Sequence, residues 1–179
     1  MSEKDNTPSV ILVTGAGKGI GRAVAEGLAA RAQASGSAVK LMLAARTQSD
    51  LTALAAQLQG GSVECDSVAC DLADAPSQPL EACLARYGRL DALIHCAGVG
   101  RFKDFLEQTP EDLEFTLRTN VTATFLLLQR AYAAMKSQAP RDGMRGQIQV
   151  VTSVAASSPS RRARPTASAN MRSAACSMS

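Results

Sequence analysis

The stretch "VILVTGAGKGIG", Val10 to Gly21, decides the fold. Its first four residues are apolar and three of them are β-branched, which suits a strand buried on both faces. Gly15, Gly17, Gly19 and Gly21 follow at alternate positions. Glycines there let the backbone turn tightly and approach a ligand closely. Ile20, Val24 and Leu28 then share one helical face. A strand entering a helix through such a turn aims free backbone N–H groups at an anion. The spacing is neither G-x-G-x-x-G nor a Walker loop, because no G-K-[ST] follows. Taken alone, the turn could be a plain tight connection, the weaker of the two readings.

Working outward, the alternation repeats. "AVKLMLAAR" (38–46) reads as a second strand, and Leu51, Leu54 and Leu58 predict a helix capped by Ser49. "VECDSVACDLAD" is a weaker third strand ending near Asp71. The next helix carries Leu80, Cys83, Leu84 and Tyr87 on one face and stops at Gly88. "LDALIHCAG" is the fourth strand. Thr109, Pro110 and Asp112 supply an N-cap, a first-turn proline and a capping box for a long helix through "VTATFLLLQRAYAAM". "GQIQVVTSVAA" is the fifth strand. Five strands separated by helices predict an α/β, doubly wound, Rossmann-like parallel sheet with right-handed crossovers. It is incomplete at its C-terminal end.

The 179 residues suffice for one domain with a core. Aromatics are only 3%, so that core must be aliphatic. The net charge of +3 misleads: from Ser157 onward there are four arginines and no acid, leaving the rest near neutral. No nucleic-acid surface is implied for the folded part. Five cysteines without a C-x-x-C pair argue against a disulfide framework or a metal site. No apolar run approaches the roughly 18 residues of a membrane span, so a cytoplasmic protein is expected.

The motif Thr14, Gly15, Gly19, Gly21, as T-G-x-x-x-G-x-G, resembles that of the short-chain dehydrogenase/reductase family. The similarity continues in order through "CDLAD", "HCAG", "RTNVTATFLL" and "VVTSVAA", over roughly residues 10–156. The resemblance implies an NADP-binding domain over 1–156, with Thr14, Gly15, Gly17, Lys18, Gly19, Ile20 and Gly21 at the phosphates. It further implies Asp71 and Leu72 at the adenine, and Cys96, Ala97 and Gly98 below the ribose. Ser153 would be the catalytic serine that orients a carbonyl, and Asn120 would help hold a proton-relay water. Strand two ends in Arg46 with no acid beside it, and Lys18 adds a second cation. Together they favour NADP(H), since a 2′-phosphate wants cations and a free 2′-OH wants a carboxylate. Each could also be a solvated surface charge. The sequence looks most like sepiapterin-reductase-type members, carbonyl reductases of pteridine side chains or comparable small ketones.

Single residues need weighing. His95 is the sole histidine and reads as structural rather than as an acid or base. Cys96 reads as a packing residue. Phe102 and Phe105 either touch substrate or cover the sheet edge.

One departure matters more. The family places Y-x-x-x-K about a dozen residues beyond the serine, because a phenol near pKa 10 needs a neighbouring cation to act at neutral pH. "TASAN" (166–170) stands there instead, and the two tyrosines, Tyr87 and Tyr132, precede Ser153. Residues 157–179 are rich in Ser, Arg and Ala, as in a disordered tail or a message read out of frame. With suitable codons, "PTASANMR" read one base earlier gives Tyr-Cys-Val-Gly-Lys-Tyr-Ala, which restores the pattern. The expectation is a frameshift between about Ala156 and Pro165 and a truncated reductase without turnover. The alternative is a non-catalytic nucleotide-binding or interaction module with a basic tail. Full-length members of the family are usually homo-oligomers.

Overall fold

The computed structural model describes residues 7–153 and the backbone of 176–178. Strands β1 (Ser9–Thr14), β2 (Val39–Ala45), β3 (Val63–Ala69), β4 (Ala92–His95) and β5 (Gly146–Val150) pair in parallel in the order β3-β2-β1-β4-β5. Helices α1 (Gly19–Ser35) and α2 (Gln48–Leu58) cover one face. Helices α3 (Gln78–Tyr87) and α5 (Thr124–Ser137) cover the other, and α4 (Pro110–Leu117) leads into α5. The five-strand doubly wound sheet is therefore the observed fold.

Alternation along each strand feeds two separate cores. Leu41 and Leu43 of β2 join Val13, Ala25, Ala29, Leu51 and Leu54 on the first face. Met42 and Ala44 point the other way, to Leu12, Leu93, Cys83, Leu127 and Met135. Strands buried on both sides read as unbroken apolar runs, and this is why the sequence pattern identified them.

Four details differ from the sequence reading. Helix α1 buries Gly21, Ala25, Ala29 and Ala32, while Ile20 is 62% exposed. A stripe of small residues lets the helix lie close on the sheet, and the larger Val24 and Leu28 flank it. Helix α2 starts two residues earlier than expected, with Thr47 and not Ser49 as its N-cap. The long helix is interrupted by a π-turn at Arg118–Ala123. Finally, Cys176–Met178 forms β6, antiparallel to β5, with Gly146 opposite Met178. No strand was expected beyond β5. An open edge offers unpaired backbone groups with which a three-residue segment can pair. The boundary at 156, "TASAN" and the proposed frame change lie outside the described residues.

Two expectations match closely. Thr109 caps α4 and Asp112 completes the capping box. Gly88 ends α3 in the left-handed conformation, φ 77°.

Candidate cofactor site

The loops leaving β1 to β4 meet at the C-terminal edge of the sheet, where an open α/β fold places its ligand. They enclose a cavity of about 290 Å³. Gly15, Gly17 and Lys18 contribute from the first loop, Arg46, Thr47 and Asp50 from the second. Cys70, Asp71 and Leu72 follow β3; Cys96, Ala97, Gly98 and Val99 follow β4; and Thr119 comes from the π-turn.

The glycines of the first loop are there for contact. A Cβ on Gly15, whose φ is 69°, would lie 2.8 Å from the Ala97 backbone nitrogen. One on Gly21 would fall 2.2 Å from the Gly15 carbonyl oxygen. The loop is thus wedged between β4 and α1, and only hydrogen atoms fit in the gaps. At the start of α1, Lys18 makes no side-chain cap and the first turn holds no acid. Free N–H groups, a positive helix end and a bare backbone together suit a pyrophosphate. The residues present therefore fit a dinucleotide.

Beneath the loop, His95 is buried, 2% exposed. Its Nδ1 lies 2.8 Å from the Thr14 hydroxyl and its Nε2 2.9 Å from that of Thr124. A neutral imidazole satisfies both, one nitrogen donating and the other accepting. Burial pushes its pKa down to about 4. The ring ties β1, β4 and α5 together, away from the cavity lining, in the structural role expected of it. Burial also raises the thiols of Cys96 and Cys70, with Asp71 adding to the effect on Cys70. Neither is poised as a thiolate.

Asn120 sits on the π-turn. Its Oδ1 accepts from the Val99 N–H at 2.8 Å and its Nδ2 donates to the Val99 carbonyl at 2.7 Å. The side chain is committed to pinning the loop after β4. Further along, Asp112 is buried and receives Lys103 at 2.6 Å and Arg101 at 3.3 Å. The Lys103 hydrogen bond is the main cause holding its carboxyl below the usual range. Arg101 also stacks 4.6 Å above the Phe115 ring. The 99–109 segment is thus tied down at both ends. Phe102 and Phe105 are 70% and 65% exposed, so neither covers the sheet edge.

Of the residues expected at the cofactor, Gly15, Gly17, Lys18, Arg46, Asp71, Leu72, Cys96, Ala97 and Gly98 line the one cavity. Gly19, Ile20 and Gly21 open α1 beside it, and Thr14 is spent on His95. Ser153 lies just beyond β5, exposed and outside the cavity lining. Sequence reasoning missed Ala44, Ala45, Thr47, Asp50, Cys70, Val99 and Thr119. Asp50 is the important omission: four residues beyond Arg46, it lines the same cavity, where no acid was expected. Its place in the first turn of the helix that follows Arg46 was the available signal.

Among the described residues no group of His, Cys, Asp or Glu is arranged to hold a metal, and no helix is long and apolar enough to cross a membrane.

Comparison with known proteins agrees with this geometry. A sepiapterin reductase from Chlorobaculum tepidum is 38% identical over 151 residues, 82% of this chain and 59% of that protein. An alcohol dehydrogenase from the archaeon Thermococcus sibiricus, complexed with 5-hydroxy-NADP, superposes with a TM-score of 0.76 at 27% identity, over 90% of this chain and 65% of that one. A 3-oxoacyl-[acyl-carrier protein] reductase from Brucella melitensis, in complex with NAD, gives a TM-score of 0.76 at 27% identity, over 90% and 61%. The chain spans 43% to 59% of the length of the curated relatives it matches. The family model for short chain dehydrogenases matches residues 9–169. With strand order, glycine wedge and family model all in agreement, the chain belongs to the short-chain dehydrogenase family.

Proposed function

We propose that this chain is the nucleotide-binding part of an NADPH-dependent, cytoplasmic reductase of a small carbonyl compound, a sepiapterin-like ketone being the leading candidate. One observation carries the cofactor choice. Lys18 and Arg46 line the same cavity, and among the described residues neither is in an ion pair. Two unspent cations, Arg46 just beyond β2 and Lys18 in the first loop, suit a 2′-phosphate.

In this reading Gly15, Gly17 and the start of α1 receive the pyrophosphate, and Asp71 and Leu72 flank the adenine. Cys96, Ala97 and Gly98 floor the ribose. A reduced nicotinamide, when bound, supplies the hydride. The Ser153 hydroxyl donates to the substrate carbonyl and orients it. Asn120 has its side-chain amide occupied by Val99, so its part in a proton relay falls to its main chain, where a π-turn loosens the ordinary helical ladder.

The proton donor is the missing part. Tyr87 donates its hydroxyl to the Leu41 carbonyl, and Tyr132 stands half exposed on α5. Neither lines the cavity. This favours a second reading, a nucleotide-binding module without turnover. The two readings separate in one assay, NADPH oxidation with a small dicarbonyl or a pterin ketone. The 179-residue chain should show none. A version re-read one base earlier through "PTASANMR", and continued in that frame, should turn over. Activity in the chain as it stands would contradict the account, and so would a frame-restored enzyme that binds NADPH but stays inactive.

A further inference from the structure

Strand β3 is an edge of the sheet, with β2 on one side and no strand on the other. Its bonds to β2 fix which backbone groups face out. Val39 donates to the Ser62 carbonyl and Cys70 to that of Ala45, in the register that pairs Val39 with Val63 and Ala45 with Ala69. In a parallel ladder, residues 64, 66, 68 and 70 then turn their N–H groups to β2. Val63, Cys65, Ser67 and Ala69 turn theirs outward. Such a row of outward backbone groups is a template for another strand.

Three of these outward N–H groups are already spent within the chain. Val63 exchanges both of its backbone bonds with Gly60, each at 3.0 Å. The Cys65 N–H donates to Oε1 of Gln59 at 2.8 Å, and the Ser67 N–H donates to Oδ1 of Asp66 at 2.7 Å. Asp66 is itself held in place. Arg86 of α3 reaches its Oδ2 at 3.2 Å and Glu64 at 2.7 Å, and Lys40 of β2 meets Glu64 at 3.1 Å. The guanidinium of Arg86 also lies over the Tyr87 ring, 5.3 Å from its centre.

An antiparallel neighbour forms its hydrogen-bonded pairs with the N–H and the carbonyl of one outward residue together. At residues 65 and 67, in the middle of the strand, each such pair lacks its donor. We propose that Gln59 and Asp66 are guards that close the β3 edge to strand addition. The occupant they exclude is a second copy of this chain, adding its own β3 antiparallel about a twofold axis. A strand paired with itself in that way makes a self-complementary, closed contact, the commonest route to a dimer. The inference is independent of the cofactor reading, because neither guard lines the cavity.

Sedimentation velocity of the full chain over a wide concentration range tests this. Gln59→Leu with Asp66→Ala frees both donors and should strengthen self-association by about tenfold or more over the parent. Gln59→Glu with Asp66→Asn keeps an acceptor at each place and should stay with the parent. Hydrogen exchange locates the contact. In the first double variant, protection of residues 63–69 should rise with concentration, and in the parent it should not change. If that variant unfolds, protection falls throughout the chain. Gln59→Leu alone, at an exposed position, then decides the matter by a smaller rise in the same segment. Association within about twofold of the parent would overturn the proposal. So would an equal rise in the acceptor-keeping variant, or a rise in protection confined to other segments.

Discussion

His95 shows how a residue that suggests chemistry can belong to the framework. A lone histidine next to a cofactor loop invites an acid–base role, yet both ring nitrogens are spent on Thr14 and Thr124. Its depressed pKa has a thermodynamic consequence. In the unfolded chain the ring takes a proton below about pH 6.5, whereas in the folded chain it stays neutral to about 4. Stability is therefore present above pH 6.5 and is lost as the pH falls toward 4, with no further loss from this group below that. The full difference is about 3 kcal/mol by linkage. Urea unfolding at pH 7, 5.5 and 4.5 should show that slope in the parent and a shallower one in His95→Asn. Equal slopes would mean that the ring is protonated in the fold. The sequence carried enough to expect a structural histidine but not its partners, because Thr14 and Thr124 come from distant elements. Asp50 was hidden differently: its carboxylate joins Arg46 in the cavity lining only through the first turn of α2, whose start was placed two residues late.

Among the elements, α1 carries the sharpest internal contrast. Gly21 and Gly27 lie in one helix and look alike in the sequence. A Cβ on Gly21 would meet the Gly15 carbonyl, whereas one on Gly27 would meet nothing within 4 Å. Gly21→Ala should therefore destabilise by about 2–4 kcal/mol and abolish dinucleotide binding, since the turn must open to accept the methyl group. Gly27→Ala should stabilise by about 0.5–1 kcal/mol through helix propensity and leave binding alone. Thermal unfolding and a binding titration on the two variants check this, and similar behaviour in both would remove the wedge from the account. The amphipathic pattern located α1 correctly but chose its larger residues as the buried face. Alanines win that face because closeness to the sheet, not side-chain volume, limits the packing. The π-turn at 118–123 left no sequence mark beyond Asn120 itself.

For the whole molecule, strand order follows from a short argument. Buried parallel strands read as apolar runs, helices separate them, and right-handed crossovers leave few arrangements. That logic reached β1 to β5 and most of the cavity lining. It could not reach β6, which pairs with the open edge of β5. At this scale we propose that the five-strand unit binds a 2′-phosphorylated dinucleotide without the Y-x-x-x-K pair of the family. The most direct test is equilibrium titration of the 179-residue chain with NADPH, repeated on a Lys18→Ala/Arg46→Ala double variant. The account predicts saturable binding in the parent and a loss of about tenfold or more in the double variant. No saturable binding in the folded parent, or equal affinity in both proteins, would contradict it.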